Sequence, residues 1–245
     1  MNGKSLDNQL IHDAIEYISA LFKNAHDGHD AEHSLRVYRA ALMLAEKETD
    51  VDMEVLALTA LLHDADDHKL FATKNNENAR KFLAEKHITA ETAERICLAI
   101  NDVSFSMNRG KKPETLEGKI VQDADRLDAI GAIGIARAFA YGGSHGRNLD
   151  ASVNHFYDKL LLLKDEMNTA SARKIAESRH AFMEAFLKEY NMEMDSEQGS
   201  LLFAKTLEKR KATAANAFDC SGADKRLVRK KHDENGWSGF DIVRM

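Results

Sequence analysis

The chain has 245 residues, enough to bury a sizeable core without disulfide staples. A net charge of −6 and a pI near 6.0 argue against a protein whose business is coating nucleic acid, which needs a basic face. Its two cysteines, Cys97 and Cys220, sit in no zinc or secreted-framework pattern, and a single proline, Pro113, among abundant Ala, Leu, Glu and Lys favours an all-α fold.

Met1 to Gln9 has no apolar h-region, and the most continuous apolar segment, Ala129 to Ala136, is too short to span a bilayer. The expectation is a soluble cytoplasmic protein with no membrane partner. Leu6, Leu10, Ile11, Ile15, Ile18 and Phe22 recur at helical spacing and predict a first helix, with Ser5 available as its cap. A polar, histidine-rich loop, Asn24 to Asp30, follows. The second helix is expected from about Asp30 to Glu48; Asp30 as N-cap puts His33 in the first turn, at the head of an inward stripe of Val37, Ala41 and Leu44.

A third helix, about Asp52 to Asp64, contains the apolar run Val55 to Leu62 and ends in His63-Asp64. The His-Asp dipeptide occurs five times in the chain, but only this copy closes a run greasy enough to be buried. Asp66, Asp67, His68 and Lys69 keep the following turn polar. Helices are expected at about Asn76 to Lys86 and Ala90 to Ile100, then a loop to Pro113. One long periodic segment, about Leu116 to Tyr141, follows, and its Gly131 and Gly134 suggest the close approach of a neighbouring helix rather than a break.

Tyr141 to Gly146 reads as a glycine loop, either a lid or a plain helix end. Further helices are expected at about Ser152 to Met167, Ala170 to Tyr190 and Asp195 to Lys211. Beyond Asn216 periodicity vanishes. One domain over 1–215 and a poorly ordered tail over 216–245 are expected. Between Lys205 and Lys231 nine Lys or Arg face three acidic residues, so this end is basic and the remainder carries about −12. A solvated end is the reading preferred over nucleic-acid binding, and no stable nucleic-acid partner is expected.

Three helices thus offer ligands: His33, the pair His63-Asp64, and the cluster Asp123, Asp125, Asp128. Acidic residues in an apolar helix are costly unless paired or bound to a cation. Asp125 and Asp128 share a face, whereas Asp123 points roughly 200° away from Asp125 and cannot easily address the same ion. Two imidazoles and two carboxylates suit Mn, Mg, Fe, Ni, Co or Zn, with Mn or Mg favoured. Four protein ligands leave coordination positions for water and for a substrate oxygen.

At these residues the chain resembles the HD-domain metal-dependent phosphohydrolases, whose pattern is a histidine, then His-Asp, then a distant aspartate. It is most similar to their YpgQ/YedJ-like branch in His29-Asp30-Ala31-Glu32-His33 with Arg36-Val37, and in the text Val121 to Arg137. The resemblance spans about Asp7 to Glu193. It implies an HD-domain helical bundle with His33, His63, Asp64 and Asp125 as ligands of one divalent ion, since no histidine lies between His87 and His145 to serve a second. Asp67 is the expected catalytic base or water-orienting group, and His29, Arg36, Lys69 and Asp128 are the expected substrate contacts.

The implied activity is hydrolysis of a small phosphorylated substrate, a nucleotide, with nucleoside triphosphate going to monophosphate and pyrophosphate. The rival readings are a phosphomonoesterase on nucleoside monophosphates and a non-catalytic nucleotide-sensing or partner-binding protein. The sequence leaves room for a homo-oligomer.

Overall fold

The computed structural model describes residues 7–23, 30–68, 70–103 and 111–194. Among them are nine α-helices, one 3-10 helix and no strand, so the fold is all-α: α1 (Asn8–Leu21), α2 (Ala31–Ala45), α3 (Met53–Leu62), α4 (Glu77–Glu85), α5 (Ala90–Val103), α6 (Leu116–Asp128), α7 (Gly131–Ser144), α8 (Leu149–Asp158), the 3-10 helix (Leu160–Glu166) and α9 (Ala170–Glu193). The chain divides into two units, 1–183 with 241–245, and 184–240; α9 passes from one to the other, and the helices below belong to the first. The tail over 216–245 and the expected helix at 195–211 lie outside the described residues.

Composition decides where α3 goes. Every residue from Val55 to Leu62 is buried, and a helix apolar on all sides has no face to give to water. It is wrapped by α1, α2, α5 and α6. Leu10, Ile11, Ala14 and Ile18 of α1 close one side of the core against α3, with Phe82 and Leu83 of α4 and Ile96, Cys97 and Ile100 of α5. Side-chain oxygens start the helices: Asp7 accepts from the Gln9 and Leu10 amides, Asp30 from His33, Asp52 from Val55 and Thr115 from Gly118. At α1 the cap is therefore Asp7, not the expected Ser5.

α3 ends at Leu62, two residues earlier than expected, with His63 as C-cap. The chain then continues in tight turns, marked by Leu62 O accepting from Ala65 N at 3.0 Å and Asp64 O from Asp67 N at 3.1 Å. Asp66 anchors this turn: its two oxygens accept from the Asn78 and Ala79 amides in the first turn of α4, at 2.9 and 3.0 Å. Asn78 Nδ2 returns a bond to Ala65 O at 2.8 Å. An aspartate at a helix N-terminus satisfies orphan amides and meets the positive end of the helix dipole.

The long segment from Leu116 to Tyr141 is broken where continuity was expected. α6 stops at Asp128, Ile130 is extended, and Gly131 has φ +78°, a conformation that costs glycine little. Close approach is real as well: a Cβ on Gly134 would lie 2.2 Å from the carbonyl oxygen of Ala129, and one on Gly131 would lie 2.9 Å from Arg179 Cγ. The expected glycine loop is helical through Ser144, because Gly142 lets α8 approach so closely that a Cβ there would meet Ser152 Oγ at 2.2 Å. Only His145 to Asn148 link α7 to α8, and no lid is built from residues 141–144. The expected helix Ser152 to Met167 is split at Lys159, and the 3-10 geometry that follows puts Leu160 and Leu163, three apart, both inside.

Two glycines of α7 should respond oppositely to alanine. Gly134→Ala must displace backbone and is expected to cost about 1–3 kcal/mol, whereas Gly143, with nothing within 4 Å of a new Cβ, should gain up to ~1 kcal/mol from helix propensity. Thermal unfolding of the two variants beside the parent chain checks the contrast.

Candidate metal centre

α6 sits in the middle of the fold with an unusual cargo: Glu117, Asp123, Asp125, Arg126 and Asp128 are all buried. Each must be answered by a partner or it destabilises the fold. Glu117 Oε1 accepts the Asp52 amide at 2.8 Å. Arg126 donates to the carbonyl of Glu166 and lies 3.4 Å from its carboxylate. Asp123 holds the start of α9: Oδ1 accepts from Asn168 N and Nδ2 at 2.8 and 2.9 Å, and Oδ2 from Thr169 N and Oγ1 at 2.8 Å each. Burial pushes the Asp123 pKa up despite these bonds.

Asp128 is enclosed by donors. His33 Nδ1 stands 2.8 Å from its Oδ2, Arg36 Nε donates to Oδ1 at 2.8 Å and Nη2 to Oδ2 at 3.1 Å, and Arg137 Nη1 donates to Oδ2. Burial works against its charge, but the bonds from His33 and Arg36 and the Arg137 charge hold its carboxyl far below the usual carboxylate range. Asp125 differs from the other four. It is fully buried, and neither of its oxygens has a hydrogen-bond partner.

What Asp125 faces is a set of ligand atoms. Its Oδ1 lies 3.3 Å from His33 Nε2 and 3.9 Å from His63 Nε2. The two imidazole Nε2 atoms are 3.3 Å apart, and Asp64 Oδ2 is 3.5 Å from one and 3.4 Å from the other. His33, His63 and Asp64 each present an atom within 4.8 Å of the others, all three buried. Donors ~2.1 Å from a shared ion stand ~3.0 Å apart when cis in an octahedron and ~3.4 Å apart in a tetrahedron. This cluster can hold a metal ion, and the orphaned Asp125 carboxylate fits that reading.

Both histidines are oriented from behind. His63 donates Nδ1–H to the carbonyl of Ala60 at 2.9 Å, which leaves the Nε2 lone pair directed at the cluster. A carboxylate only accepts, so the proton of the His33–Asp128 bond also belongs on Nδ1. Burial and the Arg137 charge press the His33 pKa down, yet Asp125, Asp128 and Asp64 prevail and raise it above the ordinary histidine value. The cluster is thus an acidic, buried place that attracts positive charge.

The structure brings together His33, His63, Asp64, Asp125, Asp128 and Arg36 from the expected residues. Asp67 is buried on the turn after Asp64, its Oδ1 3.6 Å from His68 Nδ1. His29 and Lys69 lie outside the described residues. Asp128 faces His33, Arg36 and Arg137. Arg137 went unmarked as a site residue because it belongs to α7, and only the break at Gly131 carries it back beside His33; its place in the Val121 to Arg137 text was the available signal.

The HD domain model matches residues 30–130, the span from the α2 cap to the end of α6. The Bacillus subtilis protein YpgQ is 41% identical over 182 residues, covering 71% of this chain and 88% of its own. The crystal structure of YpgQ in complex with ADP aligns with a TM-score of 0.67 at 36% identity, over 76% of this chain and 95% of that one. An HD-superfamily hydrolase from Bacillus thuringiensis aligns with a TM-score of 0.64 at 38% identity, over 77% and 98%.

Two aspartates two positions apart should fail differently. Asp123→Ala, which strands the donors of Asn168 and Thr169, should lower stability by at least ~2 kcal/mol with or without divalent metal. Asp125→Ala should fold, and should lose the rise in melting temperature that Mn²⁺ or Zn²⁺ gives the parent chain. Thermal unfolding of both variants with and without metal separates the two roles.

Proposed function

This chain belongs to the HD-domain family of hydrolases, and from that premise we propose that it is a divalent-metal-dependent phosphohydrolase acting on nucleotides. One observation carries the reading: two imidazole nitrogens and two carboxylates from α2, the α3 end and α6 converge in a buried place, and Asp125 has no hydrogen-bond partner there. His33, His63, Asp64 and Asp125 would hold the ion. When bound, a divalent ion supplies Lewis-acid chemistry, activating water near neutral pH and offsetting phosphate charge.

The protein's own residues then have separable tasks. The turn from His63 to Asp67, tied to α4 through Asp66, keeps Asp64 and Asp67 in a fixed relation. Asp67, buried and three residues beyond Asp64, is the candidate to take the proton from the attacking water. Arg36, with its side chain 30% exposed and two nitrogens on Asp128, keeps an accessible edge for a phosphate oxygen. His29 and Lys69 stay as further candidates for that contact.

Nucleotides are preferred as substrate because a close relative, YpgQ, has been crystallised with ADP. Within that class, cleavage of a nucleoside triphosphate to monophosphate and pyrophosphate is the reading carried forward from the sequence. The rival enzymatic reading is removal of orthophosphate from a nucleoside monophosphate.

Chelator-stripped protein given Mn²⁺ and a panel of nucleoside mono-, di- and triphosphates should release pyrophosphate from triphosphates. Asp64→Ala should abolish turnover and metal uptake together, while Asp67→Asn should keep metal and lose ~10²–10⁴ in kcat. Orthophosphate as the sole product would favour the monoesterase. Nucleotide binding without any product in any metal would make the protein a sensor.

A further inference from the structure

An imidazole can ligate through either nitrogen, and the hydrogen bond at one nitrogen decides where the lone pair of the other points. His63 has that choice made by a backbone carbonyl, Ala60 O. For His33 the atom in the equivalent place is Asp128 Oδ2, 2.8 Å from Nδ1 and buried with it. We propose that Asp128 is a positioning residue that locks His33 in the Nδ1–H form, so that Nε2 faces Asp64, Asp125 and His63, and that Arg137 and Arg36 hold Asp128 in that task. The proposal rests on the metal reading above.

Asp128 shares the α6 face of Asp125, three residues on. A third carboxylate turned toward the same ion would crowd the cluster, and the two guanidiniums prevent that. Arg36 spans both Asp128 oxygens through Nε and Nη2, and Arg137 adds a third donor to Oδ2. Arg137 Nη1 also lies 3.0 Å from His33 Nδ1. Both atoms are donors when His33 carries its proton on Nδ1, so the bond of Arg137 is to the carboxylate and not to the ring.

The arrangement draws on three helices. Arg36 sits one turn beyond His33 on α2, Asp128 ends α6, and Arg137 arrives on α7, beyond the break at Gly131. Asp128 acts on the ion through His33, and it also holds Arg36.

Zn²⁺ titration of the chelator-stripped full chain by calorimetry, for the parent, Asp128→Ala and Asp128→Asn, tests the proposal. Asp128→Ala should bind ~10–100-fold more weakly, and Asp128→Asn, which keeps an oxygen in the same place, should recover part of that loss. A measurement free of any Asp128 variant accompanies it: the nitrogen-15 spectrum of the Zn²⁺-loaded parent, with the His33 signal assigned by its loss in His33→Gln, should show the proton on Nδ1. A proton on Nε2, or equal Zn²⁺ affinity in a folded Asp128→Ala chain, overturns the proposal and leaves the metal centre standing. A parent chain that takes up no Zn²⁺ removes both.

Discussion

A buried charge must be answered, and this fold is arranged around that constraint. α6 lies in the middle of the helices with four carboxylates and a guanidinium inside. An uncompensated buried ion costs several kcal/mol, a large part of the margin by which any domain stays folded. Four of the five find amides, hydroxyls, carbonyls or opposite charges. The fifth, Asp125, finds the Nε2 atoms of two imidazoles, an arrangement that a shared cation would complete.

The same helix therefore does two jobs on opposite faces. Asp123 fastens the Asn168–Thr169 corner and so sets where α9 begins. Asp125 and Asp128, turned the other way, face α2 and the end of α3. Rigid elements on every side suit a site whose donor atoms must hold their separations. α3 contributes by being apolar all round, since its burial leaves His63 and Asp64 at the one end where a polar turn can begin. Asp66 then ties that turn to α4, so the ligand pair is fixed from both directions.

Much of this was legible in the residues. The run Val55 to Leu62 announced a buried helix, Asp30 announced the start of α2 with His33 in its first turn, and the ~100° step of a helix separated Asp123 from Asp125. What stayed hidden was set by tertiary contact. Apolar periodicity runs on across Ala129 and Ile130, so nothing local marked the break at Gly131 beyond which Arg137 meets His33 and Asp128. Gly142 and Gly143 looked like a loop because glycine is a poor helix former; the packing of Ser152 against Gly142 decides otherwise. Asp66 read as one more polar turn residue, since its partners, the amides of Asn78 and Ala79, lie across a loop.

The HD domain match covers residues 30–130, which include all four candidate ligands, but likeness and geometry bear on the site differently. Family likeness covers about three quarters of the chain; the unanswered carboxylate of Asp125 is a property of this molecule. The most direct measurement is anomalous diffraction from crystals of the full chain grown with Mn²⁺. A single strong peak within bonding distance of His33 Nε2, His63 Nε2, Asp64 and Asp125 is the result this account predicts. A map without a peak there, with Asp125 instead hydrogen-bonded to protein or water, would contradict it.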